Sequence, residues 1–186
     1  RHKASKTAKE FHKSDAFVRM LIGPIGSGKS VSSCIEIFRL ANLQEPDRYG
    51  IRRTRWAIIR NTYRELVDTT CKTWFDWFPK SMGTWSQMNM THRIISENED
   101  GTVTDIEVLF RALDKPSDIK KLLSLELTGG WINEAREIPK QIVDALIGRC
   151  GRFPPPKDGV PATWFGVLLD TNPPDSDSWI FRIFEE

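Results

Sequence analysis

The chain has 186 residues, enough for one α/β domain with a sizeable core, since chains of about 150 residues already bury roughly 70% of their unfolded surface. Hydrophobic residues make up 39% of it, and no apolar run approaches the roughly 18 residues that a bilayer-spanning helix needs, which excludes a helical membrane span. The formal net charge of +2 creates no overall field that would select or exclude a polyanionic partner.

Residues 1–16 read as a basic N-terminal arm, with five Lys or Arg and two His against one Glu between Arg1 and Lys13. Such an arm suits phosphate contact or plain solvation equally. The apolar run Phe17 to Ile22 predicts a buried strand, followed by a glycine-rich loop and a helix from Lys29 to Leu43, where Val31, Ile35, Phe38 and Leu43 recur at helical spacing. A second strand is expected over Arg55–Arg60. Thr62 and Glu65 form a capping box that opens a helix running to about Phe78, stopped by Pro79. The aromatic face of that helix, Trp74, Phe75, Trp77 and Phe78, reads as core.

His92–Ser96 and Thr102–Phe110, joined through Asn98-Glu99-Asp100-Gly101, predict a β-hairpin. A short helix is expected over Asp114–Leu123, a strand over Thr128–Ile132, a helix over Pro139–Leu146 and a late strand over Thr163–Leu169. Strands alternating with helices predict an α/β fold, a mostly parallel β-sheet sandwiched by helices, with the hairpin as an insertion. Cys34, Cys71 and Cys150 are odd in number and lack metal-ligand spacing, so free thiols in a reducing compartment are expected. No signal sequence is visible. A chain running from Arg1 to Glu186 without an opening Met reads as a piece of something longer.

Gly23-Pro24-Ile25-Gly26-Ser27-Gly28-Lys29-Ser30 matches GxxxxGKS, set directly between a strand and a helix. Its glycines let backbone N–H groups face phosphate oxygens, and the helix N-terminus adds favourable dipole charge. Lys29 would neutralise the β- and γ-phosphates of ATP, and Ser30 would give a hydroxyl to magnesium. Two acidic positions compete for the metal and the attacking water. One is Asn133-Glu134, where Glu134 can activate water but Asn133 stands in place of the usual Asp. The other is Asp170, which follows the better apolar strand but precedes Thr171. On composition alone the two are nearly even.

Gly23–Ser30, Trp56–Leu66, Asn133-Glu134-Ala135 and Leu169-Asp170-Thr171-Asn172-Pro173, in that order, resemble the ATPase domain of the large terminase subunit of tailed bacteriophages. The likeness runs from about Phe17 to Trp179, within a P-loop ATPase domain placed at 17–186. It implies a P-loop NTPase fold of the RecA-like class and an ATP- and magnesium-dependent motor that moves double-stranded DNA into a capsid. It also implies a homo-oligomeric ring on a portal protein, a small terminase subunit as partner, and work in the host cytoplasm outside the mature virion. The order of elements and this resemblance favour Asn133-Glu134 as the acidic pair, and assign Thr171 and Asn172 to coupling the γ-phosphate to movement. Arg149, Arg152 and Lys121 are candidates for a basic residue acting in cis or in trans. The family's C-terminal nuclease domain is not expected within these residues. A helicase-like ATPase and a slowly hydrolysing nucleotide switch share the loop and the acidic pair, and stay open at this point.

Overall fold

The structure is a computed structural model that describes residues 5–184. Residues 1–4 of the expected arm and the closing Glu185-Glu186 lie outside the described residues. Among the described residues, seven strands form one sheet: β1 (Val18–Ile22), β2 (Ile51–Arg60), β3 (Thr84–Ser86), β4 (Thr91–Glu97), β5 (Val103–Ala112), β6 (Gly129–Asn133) and β7 (Gly166–Thr171). Their order is β1-β7-β6-β2-β5-β4-β3. The first five are parallel, and β4 and β3 turn antiparallel at the far edge. The hairpin is therefore built into the sheet, since its second strand, β5, pairs along its whole length with β2.

The strands are buried on both faces because their side chains alternate between two cores. Trp56 and Ile58 of β2, Trp131 of β6 and Leu168 of β7 join one cluster, with Cys34 and Ile37. Ala57, Ile59, Ile132, Val167 and Leu169 join the other, with Ile142 and Leu146. Helices α1 (Lys6–Lys13), α2 (Lys29–Leu43) and, after the short α3 (Tyr63–Glu65), α4 (Lys72–Trp77) contribute to the first face, and α5 (Ile119–Leu123), α6 (Lys140–Ile147) and α7 (Trp179–Phe184) to the second. Among the described residues, no helix is long and apolar enough to cross a membrane.

Several elements depart from the sequence reading for physical reasons. Lys6–Lys13 is a docked helix rather than a solvated arm. Ser5 caps it by accepting from Ala8 N–H at 3.1 Å, Phe11 is buried, and His12 Nδ1 lies 2.6 Å from Glu36 Oε2 on α2. The long helix after Thr62 contains a π-helical segment, Leu66–Cys71, between α3 and α4. A π segment is often retained where it serves a site, and here it carries the buried Thr70.

The late strand begins at Gly166, three residues after the expected start. Trp164 is instead used as a lid: it stacks on Trp56 at 6.0 Å, donates to Asp15 O and receives the guanidinium of Arg19 on its face at 4.8 Å. Cys34, Cys71 and Cys150 are free, and burial pushes each thiol up, to about 12 for Cys71 and Cys150.

Candidate nucleotide site

In a parallel sheet the ligand edge is the one where strands end. Here β1, β6 and β7 end side by side, at Ile22, Asn133 and Thr171. The Gly23–Ser30 loop leaves β1 at that edge and is tied to it by Gly23 N–H donating to Thr171 O at 3.2 Å. Gly26 and Gly28 have φ of 77° and 80°, a conformation that strains any other L-residue. Gly28 caps α2 without a side-chain bond, which leaves the first N–H groups of α2 directed at the cleft.

Lys29 is buried and folded back into its own loop. Its ammonium donates to Gly23 O at 2.7 Å, Pro24 O at 2.9 Å and Asn172 Oδ1 at 3.2 Å. A cleft of about 330 Å³ opens beside it, lined by loop residues together with Thr73, Glu134 and Asn172. A second hollow, of about 300 Å³, lies across Ser27 and Lys29, between the loop and Ser5, Thr7 and Ala8 of the N-terminal segment.

The two acidic candidates occupy different depths. Asn133 and Asp170 are direct cross-strand partners on β6 and β7. Asp170 is fully buried and accepts from Trp131 Nε1 at 3.1 Å, Asn133 Nδ2 at 2.7 Å and Glu134 N–H at 3.1 Å. Burial, reinforced by the nearby Glu134 charge, pushes the Asp170 carboxyl above its ordinary range, and the hydrogen bonds from Glu134 N–H and Asn133 oppose that rise.

Asn133 Nδ2 also reaches Ser30 Oγ at 3.0 Å, while its Oδ1 accepts from Thr70 at 2.7 Å. Ser30, Asn133 and Asp170 thus form one hydrogen-bonded chain running inward from the loop. Glu134 alone of the acidic set lines the cleft. It has left-handed backbone angles, φ 54° and ψ 58°, a strained state for a non-glycine residue. Its Oε2 accepts from Asn172 N–H at 3.2 Å and stands 4.0 Å from Arg136 Nε.

Lys29, Ser30, Asn133, Glu134, Asp170, Thr171 and Asn172 are therefore gathered at one edge. Arg149, Arg152 and Lys121 are not gathered with them. Arg149 donates to Leu125 O, and its own carbonyl accepts from Leu127 N–H, just before β6 begins and so at the opposite edge of the sheet. Arg152 donates to Gly148 O, and Lys121 pairs with Asp118 at 2.7 Å.

Three residues at the site went unmarked in the sequence. Thr70 fixes Asn133. Arg136 neighbours Glu134, and its N–H reaches Thr171 Oγ1 at 3.4 Å. Arg60, buried at the end of β2, pairs with Glu137 at 2.6 Å and Glu65 at 3.3 Å. A basic residue closing the apolar run Trp56–Ile59 was the available signal for Arg60; nothing local announces Thr70.

Among the described residues there is no cluster of three or more His, Cys, Asp or Glu that could hold a metal. Magnesium does not need one, because it keeps several waters and binds through few protein oxygens plus substrate phosphate. The Ser30 hydroxyl, beside a buried carboxylate and facing the cleft shared with Glu134, fits that demand.

The chain matches the family model described as phage terminase large subunit over residues 15–186. Among solved structures, the large terminase of a thermophilic bacteriophage superposes with a TM-score of 0.72 at 15% identity, over 99% of this chain and 43% of that one. The large terminase ATPase domain of Thermus phage P74-26 superposes with a TM-score of 0.61 at 17% identity, over 98% and 70%. The thermophilic-bacteriophage protein in complex with ADP gives 0.68 at 14%, over 98% and 42%. At such identities the likeness shows the fold, a P-loop NTPase sheet, and the chain spans less than half the length of the full large terminase it superposes on. No curated protein matches. Because the family model takes in nearly the whole sequence, the chain belongs to the phage terminase large-subunit family.

Proposed function

We propose that this chain hydrolyses ATP and that hydrolysis drives double-stranded DNA into a viral capsid. The observation that carries the reading is the convergence of Lys29, Glu134 and Asn172 on one cleft, with Lys29 already bonded to Asn172 and Glu134 to the Asn172 backbone. Lys29 leaves the Gly23 and Pro24 carbonyls for the β- and γ-phosphates, exchanging neutral acceptors for charged ones. Glu134 orients a water and takes its proton as the water oxygen attacks the γ-phosphorus. The bond from that phosphorus to the bridging oxygen breaks, giving ADP and phosphate. Ser30 would give its hydroxyl to magnesium, which would supply charge neutralisation when bound. The glycine-lined loop and the N-terminus of α2 stabilise the remaining phosphate charge through backbone N–H groups.

Asn172 touches both Lys29 and Glu134, so loss of the γ-phosphate reaches β7 and the segment after it through one residue. Arg149 and Arg152 lie at the opposite edge of the sheet from their own loop, so in this reading either would act on a neighbouring copy's site in a ring of copies on a portal. The portal protein and the small terminase subunit are the partners this reading carries, with the host cytoplasm as its setting.

The test is ATP turnover by the wild type and Lys29→Ala, with and without duplex DNA. Removing Lys29 forfeits charge-assisted bonds of about 1.5–3 kcal/mol each, so ATP affinity is expected to fall about 100-fold. Duplex DNA is expected to stimulate the wild type more than single strands do, with stimulation falling steeply as salt rises. Unchanged ATP binding by Lys29→Ala, or stimulation by single strands alone, would contradict the proposal.

A further inference from the structure

The position that closes β6 is an amide where this chemistry calls for a negative charge, and the missing charge stands one strand away. Asn133 and Asp170 are paired in register, and Asn133 Nδ2 donates to Asp170 Oδ1 at 2.7 Å. We propose that Asp170 is a positioning residue that supplies, from β7, the negative charge that Asn133 lacks on β6, acting on the cation through Asn133 and Ser30 and without touching it. The inference rests on the ATP-binding reading above.

The hydrogen bonds fix the orientation of each group. Asn133 Oδ1 takes the proton of the Thr70 hydroxyl, so Nδ2 faces both Asp170 and Ser30; the flipped amide would set its oxygen against a carboxylate oxygen. Every hydrogen-bond partner of Asp170 is a donor: Trp131 Nε1, Asn133 Nδ2 and Glu134 N–H. That set suits an acceptor-only carboxylate. The Ser30 oxygen accepts from Asn133 Nδ2 with one lone pair, which leaves its second lone pair for a cation in the cleft.

The buried carboxylate also bonds the N–H of Glu134, so the same group sets the position of the catalytic base's backbone. Asn133 and Asp170 thus act as an exchanged pair. One carboxylate and one amide are present, as a site with the acid on β6 and a neutral partner on β7 would have, but on opposite strands.

The experiment is titration of a fluorescent ATP analogue with and without magnesium, on the wild type, Asp170→Asn, Asn133→Asp and the double exchange Asn133→Asp/Asp170→Asn. The wild type is expected to bind more tightly with magnesium. In Asp170→Asn the magnesium-free affinity should hold, while the tightening by magnesium falls at least about tenfold. Asn133→Asp sets two carboxylates side by side and should weaken binding or lower the melting temperature. The double exchange should recover most of the magnesium response. Equal loss of affinity with and without magnesium in Asp170→Asn would reveal a merely structural role and overturn the inference, as would a folded double exchange with no recovery. Should Asp170→Asn not fold, the double exchange decides alone. A wild type that binds no ATP would sink the underlying reading instead, which separates the two failures.

Discussion

Glu134 shows how far a single residue's geometry is set by its neighbours. Its left-handed backbone is held by the N–H bond to Asp170 on one side and the bond from Asn172 N–H to its carboxylate on the other. A non-glycine residue in that conformation costs roughly 1–2 kcal/mol, and strain of this kind persists only where its surroundings impose it. Glu134→Gly should therefore be more stable than Glu134→Ala by about 1 kcal/mol, since both lose the carboxylate but only alanine keeps the strain. Urea denaturation of the two variants checks this. Equal midpoints at equal slope would mean that the backbone relaxes once the side chain is gone. Lys29 is the complementary case: its ammonium is satisfied by its own loop, so the site holds a buried cation without exposing an unpaired charge.

Among the elements, α1 is fastened to α2 by a charge cluster in which Glu36 accepts from His12, Arg19 and Arg39. Burial alone would raise the Glu36 carboxyl, but the bonds from Arg39, His12 and Arg19 outweigh it and hold it at about 2, against an ordinary 4.5. A carboxyl lowered by folding binds fewer protons folded than unfolded, so its contribution is complete above about pH 4.5 and is lost as the pH falls toward about 2. That contribution is on the order of 2–3 kcal/mol. Stability of the wild type should fall across this window by that much more than stability of Glu36→Gln, as followed by denaturant melts at each pH. Parallel curves would contradict it. The cluster was invisible in the sequence because its members lie on three different elements, and α1 carries lysines that mimic a solvated arm.

The loop and α2 were legible because a contiguous motif lies between two strong patterns, and α2 runs over Lys29–Leu43 as read. Strand β7 was shifted because Trp164 serves the core from outside the strand. The pairing of Asn133 with Asp170 was out of reach because register across parallel strands depends on crossovers, not on local spacing.

At the scale of the whole molecule, five parallel strands bring the ends of β1, β6 and β7 to one edge and leave the Arg149 segment at the other. That division sets the Gly23–Ser30 loop and the Arg149 segment on opposite edges of the sheet. The chain covers 43% of the length of the thermophilic-bacteriophage large terminase, and the chemistry proposed for it rests on residues within that share. The most direct measurement is single-turnover ATP hydrolysis alongside ATP binding for Glu134→Gln, which keeps the shape of the side chain and removes the base. Binding should stay within about threefold of the wild type while the hydrolysis rate falls by roughly 10²–10⁴. Turnover at the wild-type rate would show that Glu134 is not the group that activates water, and would contradict the account at its centre.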